Sequence, residues 1–87
     1  MSKELNFQKM LDVAMSGDVQ AQCELGKCYA EGEIVEQDYK KSLYWFNEAV
    51  KNGDVMATAC LGVMYELGHG VKVDINKAIE YYQRAAY

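Results

Sequence analysis

Three thiols, one imidazole and three hydroxyls are the side chains with the widest chemical repertoire here: Cys23, Cys28, Cys60, His69, Ser2, Ser16 and Ser42. A nucleophilic enzyme needs one of these beside a base, with a third group orienting the base. The sequence assembles no such set. No serine begins S-x-x-K or sits in G-x-S-x-G. Ser2 and Ser16 fall at predicted helix ends, and Ser42 falls where the second repeat described below has Ala78. A thiol enzyme pairing Cys23 or Cys60 with His69 has no spacing in its favour. Zinc would call for C-x-x-C or Cys/His clustering, whereas His69 lies among glycines with neither residue close by in sequence. Cys23 and Cys28 are five apart, which on a helix turns them about 140° from each other. They cannot bridge while that helix is intact. An odd cysteine count also argues against a secreted disulfide scaffold, so the thiols read as small buried or half-buried hydrophobes. Glu31, Glu33 and Glu36 cluster around a connector and read as solvated. No catalytic, cofactor or metal site is expected.

The elements that position these residues belong to one small domain. Of 87 residues, 51% are hydrophobic, 25% are charged and none is proline, a globular composition that leans helical. A disordered tail would carry fewer apolar groups, and no window approaches the roughly 20 apolar residues of a membrane helix. Nine basic residues against 13 acidic ones give a net charge of −4. Nucleic-acid binders present a basic face to displace phosphate counterions; here the only adjacent basic pair, Lys40-Lys41, is flanked by Glu36, Asp38 and Glu48. Nucleic acid and membrane are therefore not expected partners. The amino terminus, Met1-Ser2-Lys3-Glu4-Leu5-Asn6-Phe7, lacks the apolar stretch and cleavage site of a secretory signal. With Met1 as the native start, a cytoplasmic protein is expected.

A shift of 36 aligns residues 17–51 with 53–87 without a gap, and 12 of those 35 positions are identical, from Gly17/Gly53 to Ala49/Ala85. Such self-similarity is the signature of a repeat architecture. The same shift places residues 2–16 on 38–52, with Ser2 on Asp38, Phe7 on Leu43 and Met10 on Phe46. The chain thus reads as one repeat domain over 1–87: a leading half-repeat at 2–16, a first repeat at 17–52 and a second at 53–87. Asp18 and Asp54 can cap a helix by accepting from free backbone N–H groups. Ala21, Leu25 and Tyr29 then recur at i, i+4, i+8, as do Ala57, Leu61 and Tyr65, forming one helical stripe. Gly32 and Gly68 supply the left-handed turn that ends it. A connector follows to Asp38 or Asp74, a second cap, and then to a helix carrying Leu43, Phe46, Ala49 and Val50, or Ile79, Tyr82, Ala85 and Ala86. Five helices are predicted, at about 3–16, 18–31, 39–52, 54–67 and 75–86, with no strands. Gly26 and Gly62 lie inside helices, where glycine costs about 1 kcal/mol relative to alanine; their recurrence predicts close approach of two helix backbones.

The motif Ala21-x-x-x-Leu25-Gly26-x-x-Tyr29-x-x-Gly32, followed by Val35-x-x-Asp38-x-x-Lys41, resembles the Sel-one-like repeat family, a relative of the tetratricopeptide repeats. The second copy matches more fully: Ala57, Leu61-Gly62, Tyr65, Gly68-His69-Gly70-Val71, Asp74, Lys77-Ala78, Tyr81 and Ala85-Ala86. The first copy departs twice, with Ile34 in place of the second glycine of the Gly-x-Gly turn and Ser42 in place of the usual alanine. The resemblance implies an all-α fold, an α-solenoid of antiparallel helix pairs in a right-handed superhelix. It also implies adaptors that assemble protein complexes, many of them bacterial. Some proteins with such repeats are linked to penicillin binding and β-lactam hydrolysis, chemistry for which this sequence offers no serine site.

Stacked pairs present one face of each first helix on a concave surface. Leu25 and Leu61 point toward the paired helix, so the opposite face comprises Gln20, Cys23, Lys27, Ala30 and Glu31, then Met56, Ala59, Val63, Glu66 and Leu67. By resemblance to tetratricopeptide modules these contact a partner peptide or helix. The first set is polar and the second apolar, which suits an amphipathic segment; packing under the leading helix, or against another copy of the chain, is the competing use of the same residues. In the run Tyr44-Trp45-Phe46, helical phase makes Phe46 core, with Tyr82 as its counterpart, and leaves Trp45 packed between second helices or part-exposed on the convex side. The final helix lacks a polar cap, so either a homodimer through a terminal helix is expected or the chain is a fragment of a longer array. A protein-interaction module is the reading this supports. A small inhibitor or immunity-type regulator is compatible with the same surface.

Overall fold

The cap residues set the helix boundaries. In the computed structural model, which describes residues 3–86, the chain forms α1 (Lys3–Met15), α2 (Val19–Glu31), α3 (Tyr39–Lys51), α4 (Val55–Leu67) and α5 (Ile75–Ala86). Asp18 and Asp54 stand just outside their helices in extended backbone and accept from the N–H of Ala21 at 2.8 Å and of Ala57 at 2.7 Å. Asp38 accepts from Lys40 and Lys41, and Asp74 from Lys77. Each cap satisfies donors that a helix start leaves free, which is why α2 and α4 begin one residue after the aspartate. Gly32 and Gly68 end α2 and α4 with φ of 71° and 74°. Ser2, which the shift of 36 places on Asp38, lies outside the described residues.

Consecutive helices pack on one another, α1 on α2 through α4 on α5, and α2 also touches α4. The described residues hold no strand. The result is a slab of 42 × 24 × 15 Å. Its core runs along the α2/α3/α4 seam, where Cys23, Phe46, Ala49, Ala57, Leu61 and Met64 form one buried cluster. Leu25 and Leu61 are completely buried, and each such side chain contributes about 1.5–3 kcal/mol of hydrophobic stabilisation. Buried polar side chains are all satisfied among the described residues. Gln22 donates to the Ala14 carbonyl at 3.1 Å, closing the end of α1, and Ser42 donates to the Gly26 carbonyl at 2.6 Å.

Gly26 and Gly62 make room for something other than a backbone. A Cβ on Gly26 would lie 2.6 Å from the Phe46 ring, and one on Gly62 would lie 2.7 Å from the Tyr82 ring. Each glycine therefore receives an aromatic face from the second helix of its pair. The recurring tyrosine and lysine also meet: the Lys41 ammonium lies 5.5 Å from the Tyr29 ring centre, and Lys77 lies 5.1 Å from that of Tyr65, a cation–π distance. Tyr82 departs from its expected place in the core. Phe46 is 2% exposed because α4 covers it, whereas Tyr82 is 36% exposed and its hydroxyl donates to Glu66 at 2.6 Å.

Candidate functional site

α2 and α4 stand side by side, with Phe46 of α3 between them. A groove of about 240 Å³ lies between them, lined by Lys27, Ala30 and Glu31 of α2, Phe46 of α3, Cys60, Val63 and Met64 of α4, and His69. Its floor is apolar, and its α2 wall carries one cation and one anion. The wall at one end is held in place by a stack, since the His69 ring lies parallel to the Tyr39 ring at 4.2 Å. Gly70 makes that approach feasible. Its φ is 76°, and a Cβ there would come within 3.0 Å of the Tyr39 backbone. No residue other than glycine adopts positive φ among the described residues, so Ile34 at the matching position carries its turn in an ordinary backbone conformation. In that loop Gln37 instead donates to the Ala30 carbonyl at 2.8 Å.

The groove brings together Lys27, Ala30, Glu31 and Val63 of the expected partner-contacting residues. Gln20, Met56, Ala59, Glu66 and Leu67 lie outside its lining, with Met56 and Leu67 well exposed beside it on α4. Cys23 is a correction: it is 5% exposed and part of the core cluster. The physical reason is that α2 has neighbours on three sides, and its third side, carrying Cys23, lies under α4. Sequence reasoning did not place Phe46, Met64, Cys60 and His69 in the groove. The first three follow from helical phase once α4 is seated on α3, but the stacking of His69 leaves no trace in helical periodicity.

Burial disfavours the thiolate form at all three cysteines. Burial, with help from the Asp54 carboxylate, pushes Cys23 up to about 12. Burial also raises Cys60 and Cys28, opposed at both sites by Lys27. Cys60 and His69 share the groove, yet a nucleophilic thiol needs a lowered pKa, and the shift at Cys60 is in the other direction. Ser16 is engaged with the Val13 carbonyl and Ser42 with Gly26. Among the described residues no group of three or more His, Cys, Asp or Glu side chains is placed to hold a metal ion. None of the described helices is long and apolar enough to cross a membrane. A second hollow, lined by Tyr29, Val35, Glu36, Gln37, Asp38 and Lys41, has two of its three charged groups already engaged, Asp38 as a helix cap and Lys41 over Tyr29.

This arrangement, helix pairs repeated every 36 residues, defines a helical solenoid. The Sel1 repeat profile matches residues 19–54 and again 56–87, and the chain belongs to the Sel1 repeat family. Members of that family are typically non-enzymatic scaffolds that mediate protein–protein interaction. No curated protein sequence gives a significant match. Among solved structures, a Sel1 repeat protein from Oxalobacter formigenes superimposes with a TM-score of 0.91 at 29% identity, over 94% of this chain and 63% of that one. The c5321 protein, a protective antigen present in uropathogenic Escherichia coli strains, gives 0.88 at 34% identity, over 92% of this chain and 17% of the other. Cysteine rich protein B of Helicobacter pylori gives 0.89 at 22% identity over 99% and 65%, a likeness of fold. The chain thus spans less than two thirds of each of these relatives, all of them bacterial.

Proposed function

We propose that this chain is a protein-interaction module that seats an apolar anchor of a partner peptide or helix in the groove between α2 and α4. The observation that carries the reading is the groove's composition. Phe46, Met64 and Val63 offer an apolar floor and wall, while Lys27 and Glu31 supply a charged rim on one side only. That asymmetry suits an amphipathic segment, which buries its apolar face and keeps its polar flank wet. Binding rather than catalysis is the activity proposed, in the cytoplasm, and self-association through a terminal helix belongs to the same reading. An inhibitor that occludes another protein's site would use the same groove.

Capture from a native cell extract, compared across variants, tests the reading. Val63→Glu puts a charge on the apolar wall, Lys27→Glu reverses the rim, and Lys72→Glu is an exposed control away from the groove. The expected result is a set of proteins retained by the wild-type chain and by the Lys72 variant but lost by both groove variants. The same set on all four baits would refute the groove.

A further inference from the structure

Resting on the groove reading above, we propose that the partner segment is basic: its apolar side chain fills the α2–α4 groove, and a Lys or Arg on the same face sets its cation against Glu31 at the groove's end. The groove does not depend on where the chain stops. Its walls are residues 27–31 of α2 and 60–64 of α4, its floor is Phe46 of α3, and His69 lies at one end. It stays open with α4 already stacked on α2 and α3. A further helix pair placed by the same shift of 36 would stack on α4 and α5 and leave it open too.

The charged groups fix the sign of the partner. Lys27 and Glu31 are the charged side chains of the lining. Lys27 is paired, its ammonium 3.6 Å from the Glu24 carboxylate one turn earlier. Glu31 has no such partner, since the ion pairs among the described residues are Lys27–Glu24 and Lys51–Glu48. The Cys28 thiol samples the field along this part of α2. Burial raises it most, Glu24, Glu31 and Glu33 raise it further, and Lys27 opposes them. At Cys60, between the walls, burial again dominates and Lys27 opposes it. The middle of the groove therefore suits an apolar side chain, and a cation belongs at the Glu31 end.

The backbone adds to this. α2 and α4 are matching elements of successive repeats and run the same way, so both C-termini come to the end that holds Glu31 and His69. C-terminal carbonyls carry partial negative charge, which a cation in the last turn offsets. α3 and α5 have such a cation, Lys51 and Arg84. α2 and α4 have none. The two helices that wall the groove thus leave their ends to be neutralised from outside. On the facing wall, Val63 stands at the repeat position of Lys27 and Leu67 at that of Glu31, so the cation has a carboxylate on one side only. A helical segment meets both demands with its apolar residue and its Lys or Arg three or four apart. The net charge of −4 also favours the approach of such a segment over an acidic one.

Fluorescence anisotropy of the intact chain with three synthetic helical peptides tests this. The peptides share one Leu stripe and differ only in the residues beside it, which are Lys, Gln or Glu. The expected order of affinity is Lys, then Gln, then Glu, with the Lys peptide at least about threefold tighter than the Gln peptide. Its advantage shrinks as salt rises from about 50 mM to about 500 mM, because exposed charges are screened. Glu31→Gln removes most of the advantage and Glu31→Lys reverses the order, whereas Glu80→Gln on α5 changes neither. Val63→Ser removes apolar wall without altering charge and weakens all three peptides alike. Residues 31 and 63 are exposed, so these variants keep the melting temperature of the wild type. Equal or tighter binding of the Gln or Glu peptide, or a Lys preference that survives Glu31→Lys, overturns the basic partner; if Val63→Ser still weakens all three, the groove itself stands. Binding insensitive to Val63→Ser, or no binding of any peptide, refutes the groove and the proposal with it.

Discussion

The two in-helix glycines make opposite demands on an added methyl group. Gly→Ala in a helix interior gains about 1 kcal/mol of backbone preference. At Gly26 the new Cβ meets three atoms of the Phe46 ring at 2.6–2.9 Å. That ring is buried under α4, and the Ser42 hydroxyl clamps the Gly26 carbonyl at 2.6 Å. Neither can yield without parting α2 from α3. Overpacking of this kind costs about 1–3 kcal/mol, and a contact this short against a confined ring belongs at or above the upper end. Gly26→Ala therefore destabilises the fold by about 2 kcal/mol net, or about 8–16 °C in melting temperature for a domain of this size. At Gly62 the Cβ meets the Tyr82 ring at 2.7 Å, but that ring lies on an open face and can swing aside. The loss is the hydrogen bond to Glu66, worth about 0.5–1.5 kcal/mol in an exposed setting, which offsets the helix gain. Gly62→Ala is thus expected within about 0.5 kcal/mol of the wild type. Urea denaturation followed at 222 nm measures both. Equal damage by the two substitutions, or a Gly26→Ala variant as stable as the wild type, would refute the ring-on-glycine account.

Other expectations follow from the same contacts. Ser42→Ala removes one buried hydrogen bond to Gly26 but introduces the residue that Ala78 supplies at the matching place, so denaturation should show a loss of about 1 kcal/mol; a loss several times larger would mean that Ser42 does more than bridge two helices. Thiol labelling of the native chain at pH 8 should modify Cys28 and Cys60, both half-buried, ahead of buried Cys23. Cys23 is held up to about 12, against 9.0 ordinarily, so above pH 9 the folded state keeps a proton that the unfolded state gives up. Its contribution to stability is complete below pH 9 and is lost progressively between pH 9 and 12. Tyr82, held up to about 12 by its hydrogen bond to Glu66, adds to the same loss above pH 10. Melting temperatures should decline over that window, and Cys23→Ala should make the decline shallower.

The shift of 36 and the aspartate and glycine punctuation made the helices legible almost to the residue, because capping is local chemistry. The observed starts differ at α2 and α4 because Asp18 and Asp54 cap from outside the helix. The site was only partly legible, because its residues are sorted by neighbours that a helical wheel does not contain. Cys23 and Ala59 share a repeat position, yet Cys23 is buried beneath α4 while Ala59, on which no further helix is stacked among the described residues, is half-exposed. The same asymmetry separates Phe46 from Tyr82. Lys27, Glu31 and Val63 could be placed by phase alone. His69 could not, since its position depends on Gly70 letting a loop approach the start of α3. Trp45 is half-buried and meets Tyr44 edge-on at 5.0 Å, in keeping with its phase.

The most direct test of the central claim is amide and methyl chemical-shift mapping of the labelled chain with a protein captured by the wild type. The groove account predicts the largest changes at Ala30, Glu31, Val63, Met64 and His69, with Tyr44 and Trp45 unmoved. Changes centred on Tyr44 and Trp45, with the groove resonances unchanged, would contradict it.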